Sequence, residues 1–175
     1  LLAESLEALG DGLGAAEALG SYVALAPEDE VALAKVISLN LETIQTSEQR
    51  QGYLSSLAMR VGIPDGVRGV LFQELSRLNF EATNDEAGWA LVNQATISDA
   101  YNLGARQKLL EHPNVRGNIF QRIQTLTQMV RINPLRTQII WDFANTLDEI
   151  GLPLEAQKWY KYALGVHLAG ASGSE

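Results

Sequence analysis

Residues Thr137 to Leu168 read TQIIWDFANTLDEIGLPLEAQKWYKYALGVHL and contain two runs of apolar residues with helical spacing. Gly151 lies between the two runs and suits a helix end, since glycine adopts a left-handed conformation without penalty. Ala144 in the first run and Ala156 in the second are small enough for two helix backbones to approach closely, and Tyr160 fills the space one turn further on. The stretch is therefore predicted to form a hairpin of two antiparallel helices.

This hairpin resembles a tetratricopeptide repeat (TPR), mainly in its turn and its second helix. It departs from the family pattern because Pro153 replaces the aromatic residue after the turn, and Phe143-Ala144 stands where the family has Leu-Gly. The start of the chain shows a similar arrangement, with a turn at Gly10 and a unit that closes at Pro27. The resemblance implies a divergent member of the TPR family.

The spacing of equivalent residues supports a repeat along the whole chain. Pro27 and Pro134 are 107 residues apart, which corresponds to three units of about 36 residues, near the family period of about 34. The second-helix alanines Ala15, Ala87 and Ala156 are separated by 72 and 69 residues, each close to two units. We therefore expect about five repeats.

The predicted fold class is all-α, a right-handed α-solenoid of antiparallel helix pairs with about ten helices. Strand patterns are almost absent, whereas apolar residues recur at spacings of three and four throughout. We expect a single TPR-like domain over residues 1–169 and a disordered tail over 170–175. The predicted units are about 1–29, 30–63, 64–98, 99–135 and 136–169.

Capping patterns support the predicted helix boundaries. Thr46 precedes Gln49 by three residues, and Thr83 precedes Glu86 by the same distance. This is the spacing of a capping box, in which the hydroxyl accepts a hydrogen bond from an otherwise unpaired amide. Helices are therefore predicted to begin at Thr46 and Thr83, and Gly62 is predicted to end one.

Charge and composition narrow the class of partner. The chain has 13 basic and 21 acidic residues, a net charge of −8, and no two adjacent Lys or Arg residues. Nucleic acids and anionic membranes require clustered positive charge, so neither is an expected partner. The longest weakly polar stretch, residues 163–171, is far shorter than a bilayer span. We expect a soluble protein, and the sequence leaves the choice between cytoplasm and periplasm open.

The sequence contains no recognisable set of catalytic, cofactor-binding or metal-binding residues. The segment from Gly10 to Gly14 is glycine-rich, but no strand precedes it and no Lys-Ser/Thr pair follows, which favours a turn over a phosphate site. His112 and His167, the only histidines, lie in different predicted units and lack a third ligand at metal spacing. With no cysteine there is no thiolate nucleophile or ligand. The sequence therefore predicts a protein that is not an enzyme and holds no cofactor or metal.

The TPR resemblance implies that a partner peptide or helix binds the concave face lined by the first helix of each unit. Trp141 is suited to anchor an apolar side chain, and Asn145 to hydrogen-bond a peptide backbone. The mapped face holds no Lys or Arg, so the basic clamp that some members use for a C-terminal carboxylate is not expected. The candidate partner-binding residues are Phe72, Ser76, Asn79, Gln138, Trp141, Asn145 and Asp148.

Two functions remain open at the level of sequence. One is a non-catalytic interaction or scaffold module that binds a protein or peptide partner. The alternative is a structural or self-association appendage of a larger enzyme or envelope-assembly protein, such as a glycosyltransferase or another polysaccharide-system component, which includes a homo-oligomer. Because the chain starts at Leu1-Leu2 without a Met, we expect a fragment of a larger protein or a processed chain. The repeat architecture and the missing catalytic residues lead us to expect that the larger protein is a bacterial assembly protein.

Overall fold

The computed structural model describes residues 2–26 and 29–172. Pro27, where the first predicted unit closes, lies outside these residues. Within them the chain forms helices joined by short turns, and no strand. The eleven described helices are α1 (Leu2–Ala8), α2 (Gly12–Leu25), α3 (Glu30–Thr43), α4 (Ser47–Ala58), α5 (Asp65–Glu81), α6 (Asp85–Ser98), α7 (Leu103–Glu111), α8 (Pro113–Arg116), α9 (Ile119–Ile132), α10 (Thr137–Glu149) and α11 (Pro153–Ser172).

Two glycines, Gly10 and Gly151, act at helix ends as their positions in the sequence suggest. Gly10, Gly62 and Gly151 have φ angles of 79°, 86° and 80°, in the left-handed region that other residues rarely adopt. The predicted cap at Thr46 is also present, because its Oγ1 accepts a hydrogen bond of 3.2 Å from the backbone N–H of Gln49. These local signals set the ends of α1 and α10 and the start of α4. The predicted helix end at Gly62 is wrong, because α4 ends at Ala58 with Met59 as its C-cap, and Gly62 lies in the turn that follows.

The predicted capping box at Thr83 is wrong. Thr83 has φ 59°, its N–H donates to the Phe80 carbonyl, and the N–H of Asn84 donates to the Asn79 carbonyl at 2.9 Å. This is the hydrogen-bond pattern of a left-handed helix C-terminus. Thr83 therefore ends α5, and the N-cap of α6 is Asn84, whose side chain makes no capping bond.

A second difference divides one helix of a predicted pair in two. The predicted unit 99–135 is a pair of helices, whereas the structure has α7, the four-residue α8 and then α9 within it. The division occurs because Asn118 caps α9, where its Oδ1 accepts hydrogen bonds from the N–H groups of Phe120 and Gln121 at 3.1 and 3.2 Å. An asparagine that satisfies two amides favours a helix start over a helix interior.

α11 extends further than the sequence predicts. It continues to Ser172, and so includes the first residues of the stretch expected to be disordered. Gly170 lowers helix propensity by only about 1 kcal/mol and no proline follows it, so nothing local ends the helix there. Residues 173–175 of the predicted tail lie outside the described residues.

The chain divides into two compact units, Leu1–Asn102 and Leu103–Glu175. In unit 1, α1 packs on α2, α2 on α3, α4 on α5, and α5 on α6. Ala15, Ala16 and Leu39 form a small core at the α1–α3 end, with Leu6 against it. Gly69 of α5 lies so close to α6 that an added Cβ would be 2.6 Å from the Cβ of Asp99.

In unit 2, α7, α8 and α9 pack together, α9 packs on α10, and α10 on α11. Ala144 and Ala156 are buried, which lets α10 and α11 approach as the hairpin prediction requires. The core comprises Leu126, Met129, Val130, Ile139, Phe143, Leu147 and Ala156. The single domain over residues 1–169 stays a prediction.

Candidate partner-binding surface

The exposed side of α10 carries four of the residues predicted to bind a partner. The opposite side is buried through Ile139, Ile140, Phe143, Ala144 and Leu147, which follow helical spacing. This burial fixes how the helix is rotated about its axis. The predicted residues that it leaves exposed are Gln138, Trp141, Asn145 and Asp148.

Contacts with α11 hold this exposed side in place. The Trp141 ring lies 4.7 Å from the Tyr160 ring between centroids, and Trp141 remains 41% exposed. The Tyr160 hydroxyl donates a 2.6 Å hydrogen bond to Oδ1 of Asn145, which leaves the Asn145 amino group to donate to a partner. On the same helix, Nε2 of Gln138 donates to Oδ1 of Asp142 at 3.0 Å. The surface therefore offers one aromatic ring and several polar groups in fixed positions.

The three predicted residues on α5 lie in a different environment. Phe72 and Ser76 are buried, at 7% and 3% exposure, and the Ser76 hydroxyl donates to the Gln73 carbonyl. Asn79 is half-buried, and its Nδ2 donates to the Leu75 carbonyl at 2.9 Å. In this structure α5 is covered along most of its length, so these side chains serve packing and local hydrogen bonding.

A groove in unit 2 lies beside the exposed side of α10. This unit 2 groove has a volume of about 240 Å³. Arg122 of α9 forms an ion pair with Glu149 of α10 across it. The groove is lined by Leu110, Arg122, Leu126, Asp142, Asn145, Thr146 and Glu149.

Only Asn145 is shared between this lining and the predicted residues. Trp141 and Asp148 do not line the groove. The residue that follows each of them, Asp142 and Glu149, lines it instead. Arg122 was missed because it belongs to a second helix, whereas the prediction considered first helices alone. The capping pattern at Asn118, one turn earlier in α9, was the available signal for placing that helix.

A groove of similar construction occurs in unit 1. This unit 1 groove has a volume of about 590 Å³. Nζ of Lys35 lies 2.5 Å from Oε1 of Glu7, and the Tyr22 hydroxyl donates to Oδ2 of Asp29 at 3.0 Å. The groove is lined by Ala3, Glu4, Glu7, Leu19, Tyr22, Asp29, Val31, Ala32, Lys35 and Leu39.

Hydrogen bonds favour the charged forms of two residues in the unit 1 groove. The pKa of Asp29 lies below its ordinary value because the backbone N–H of Ala32 and then the Tyr22 hydroxyl donate to its carboxylate. The pKa of Lys35 lies above its ordinary value, chiefly because the ammonium donates to Glu7. Asp29 also caps α3, so the groove wall and the start of that helix share one carboxylate.

The described part of the chain has neither a cluster of side chains suited to a metal ion nor a helix suited to cross a membrane. Residues 2–26 and 29–172 contain no group of three His, Cys, Asp or Glu side chains placed to hold a metal ion. His112 instead caps α8, where its Nδ1 accepts from the N–H of Asn114 at 3.1 Å. No described helix has both the length and the apolar composition that a bilayer crossing requires.

No protein-family model matches the chain, and no curated protein matches it. It does resemble solved structures over its whole length. A crystal structure of MamA aligns with a TM-score of 0.56 and 19% identity, and the match covers 98% of each chain. A second MamA structure aligns with a TM-score of 0.55 and 18% identity, and covers 99% of this chain and 92% of that one. MamA is a TPR-like helical-repeat protein, so the all-α, TPR-like fold predicted from the sequence is confirmed. The number of repeats stays a prediction.

Proposed function

We propose that the chain is a non-catalytic interaction module that binds a peptide or a helix of a partner protein through the exposed side of α10. The observation that carries this proposal is the fixed pair of Trp141 and Asn145, held by Tyr160 on a helix whose other side is buried. TPR-like folds typically serve as scaffolds. A rigid helix that presents both an aromatic ring and an amide donor suits such a role.

Each exposed residue has a chemical role in the proposal. The Trp141 ring covers an apolar side chain of the partner, since aromatic residues contribute much of the binding energy at protein interfaces. The Asn145 amino group donates to a backbone carbonyl of the partner, and Gln138 and Asp148 add polar contacts at the edge. Phe72, Ser76 and Asn79 are left out because burial and local hydrogen bonds already use them.

Affinity capture with matched variants tests the proposal. The purified chain, W141A and N145A are each immobilised, incubated with lysate, and the bound proteins are identified by mass spectrometry. We expect W141A to lose at least one specific partner and N145A to retain less of it. The control Y162F changes another exposed aromatic residue of unit 2 and should retain the partner. Equal recovery by all four proteins would exclude α10 as the binding surface.

Self-association is a second candidate function, favoured by exposed apolar residues on α11. Leu154, Leu164 and Leu168 are 74%, 54% and 59% exposed. Leu164 and Leu168 are four residues apart, so they lie on the same side of α11. Light scattering of the purified chain tests this function. If it self-associates through α11, the L164K/L168K variant should have a lower molar mass than the wild type at the same concentration. A wild-type chain that is monomeric across the accessible concentrations would exclude it.

A further inference from the structure

The two grooves have the same construction in two separate units. The unit 1 groove lies among α1, α2 and α3, and the unit 2 groove among α7, α9 and α10. In each case two helices are joined by an ion pair between a basic and an acidic residue, Lys35 with Glu7 and Arg122 with Glu149. A construction repeated in both units points to one shared ligand chemistry.

Each groove has more carboxylates than cations. Glu4, Glu7 and Asp29 line the unit 1 groove, where Lys35 is the single basic residue. Asp142 and Glu149 line the unit 2 groove, where Arg122 is the single basic residue. Both cations already contact a carboxylate, so neither groove presents an excess positive charge to a ligand.

Apolar side chains lie beside these carboxylates. Leu19 and Leu39 line the unit 1 groove, and Leu110 and Leu126 line the unit 2 groove. A site that is apolar in one part and anionic in another matches a Lys or Arg side chain, whose methylene stem packs on apolar surface while its charged head contacts carboxylates. A partner carboxylate would instead meet uncompensated negative charge.

Resting on the proposed function, we infer that the partner segment is cationic and places a Lys or Arg side chain in the unit 2 groove, and that the unit 1 groove by itself accepts the same kind of side chain. The charge of the chain agrees with this inference. The sequence of unit 1 contains 15 acidic and five basic residues, which attracts a basic segment before contact. In unit 2 the Asp142 carboxylate accepts from the neutral Gln138 amide and forms no described ion pair, so it can bind an added cation.

Two synthetic peptides of identical length and apolar residues provide the probe, one with Lys and one with Glu at every charged position. Binding of each labelled peptide to the full chain is measured by fluorescence polarisation at roughly 50 and 300 mM NaCl. We expect the Lys peptide to bind and to weaken at the higher salt concentration, and the Glu peptide not to bind. Equal binding of the two peptides, or no binding of the Lys peptide, would overturn the inference.

Matched variants locate the site. D142N and E4Q each remove one groove carboxylate, whereas E155Q and E17Q remove one exposed carboxylate of the same unit outside the grooves. Each groove variant should weaken the Lys peptide by roughly two- to fivefold, and each control should have less effect. If D142N weakens peptide binding no more than E155Q, and E4Q no more than E17Q, then only the net charge of the chain affects binding. That result would refute the groove sites. The outcome is separate from the capture test with W141A, since Trp141 lines neither groove and W141A retains every groove carboxylate.

Discussion

Tyr160 of α11 and Asn145 of α10 are joined by a hydrogen bond of 2.6 Å, from the hydroxyl to Oδ1. The same tyrosine ring lies against Trp141, so one side chain of the second helix positions two residues of the first. In the TPR pattern this tyrosine is a packing residue, and here it also orients an exposed amide. The hairpin core and the proposed binding surface therefore depend on a shared residue.

Y160F should lower the free energy of unfolding modestly, because it removes this hydrogen bond and keeps the ring contact. We expect a loss of about 0.5–1.5 kcal/mol, near the lower limit because both groups are partly exposed. Urea denaturation followed by circular dichroism measures it. The control Y162F removes a hydroxyl from the same helix and should change the midpoint less. Similar losses in the two variants would argue against a role for the Asn145 bond.

Gly69 should not tolerate alanine. An added Cβ would lie 2.6 Å from the Cβ of Asp99 and 3.3 Å from the Ala95 carbonyl oxygen, so α5 and α6 must separate. G69A is expected to lower the free energy of unfolding by about 1–3 kcal/mol. G52A is the matched control, because an added Cβ at this position of α4 has nothing within 4 Å. It should raise stability by roughly 0.5–1 kcal/mol through helix propensity. A neutral G69A would contradict the close approach of the two helices.

Thr83 occupies a left-handed conformation that disfavours a β-branched residue. At φ 59° the strain is of order 1–3 kcal/mol, and glycine would relieve it. Part of the gain is lost because glycine adds roughly 0.5–1 kcal/mol of conformational entropy to the unfolded chain. T83G should therefore raise the free energy of unfolding by up to about 2.5 kcal/mol.

The reverse substitution in the turn between α4 and α5 tests the same argument. Gly62 has φ 86° and nothing within 4 Å of an added Cβ, so G62A introduces strain without a steric clash. It should lower the denaturation midpoint, while T83G raises it. If T83G destabilised the chain instead, then the Thr83 side chain would contribute more to the turn than its conformation costs.

The charge of Asp29 should stabilise unit 1 in a pH-dependent way. Its pKa in the folded chain lies below the ordinary value of 3.8. The stabilisation is therefore present above about pH 4 and lost as the pH falls through the folded-state pKa. D29N can still cap α3 but carries no charge, so its midpoint should be lower than that of the wild type at neutral pH.

Urea midpoints of the wild type and D29N, measured from neutral pH down to about pH 3, test this prediction. The gap between the two proteins should be constant near neutrality and narrow in acid. Y22F removes one of the two main donors and should lose part of the same acid dependence. A gap that stays constant throughout would show that the Asp29 charge contributes nothing.

Local chemistry made much of the fold predictable. The left-handed glycines Gly10 and Gly151 and the Thr46 cap act through neighbouring backbone atoms, so their effect can be read from adjacent residues. The prediction at Thr83 was wrong because two local patterns compete there. The left-handed end of α5 uses the residue that a capping box would assign to α6. Threonine is common in capping boxes and rare at left-handed helix ends, so the sequence favoured the capping box.

The candidate site was predictable in part. Apolar spacing on α10 placed Trp141 and Asn145 on its exposed side, because burial of the opposite side follows from the sequence. The burial of Phe72 and Ser76 on α5 was not predictable, since it depends on the elements that cover that helix. The same limit applied to Arg122, which reaches the groove only through the packing of α9 on α10.

By itself the sequence determined an all-α chain of antiparallel helix pairs, since apolar periodicity, small residues and helix ends are properties of neighbouring positions. Tertiary structure alone decided that Asp142 and Glu149 border a groove while Trp141 rests on Tyr160. The physical reason is that consecutive residues of a helix point about 100° apart. Which of them borders a groove is therefore decided by where α9 and α11 pack against α10, a property of the packed helices together.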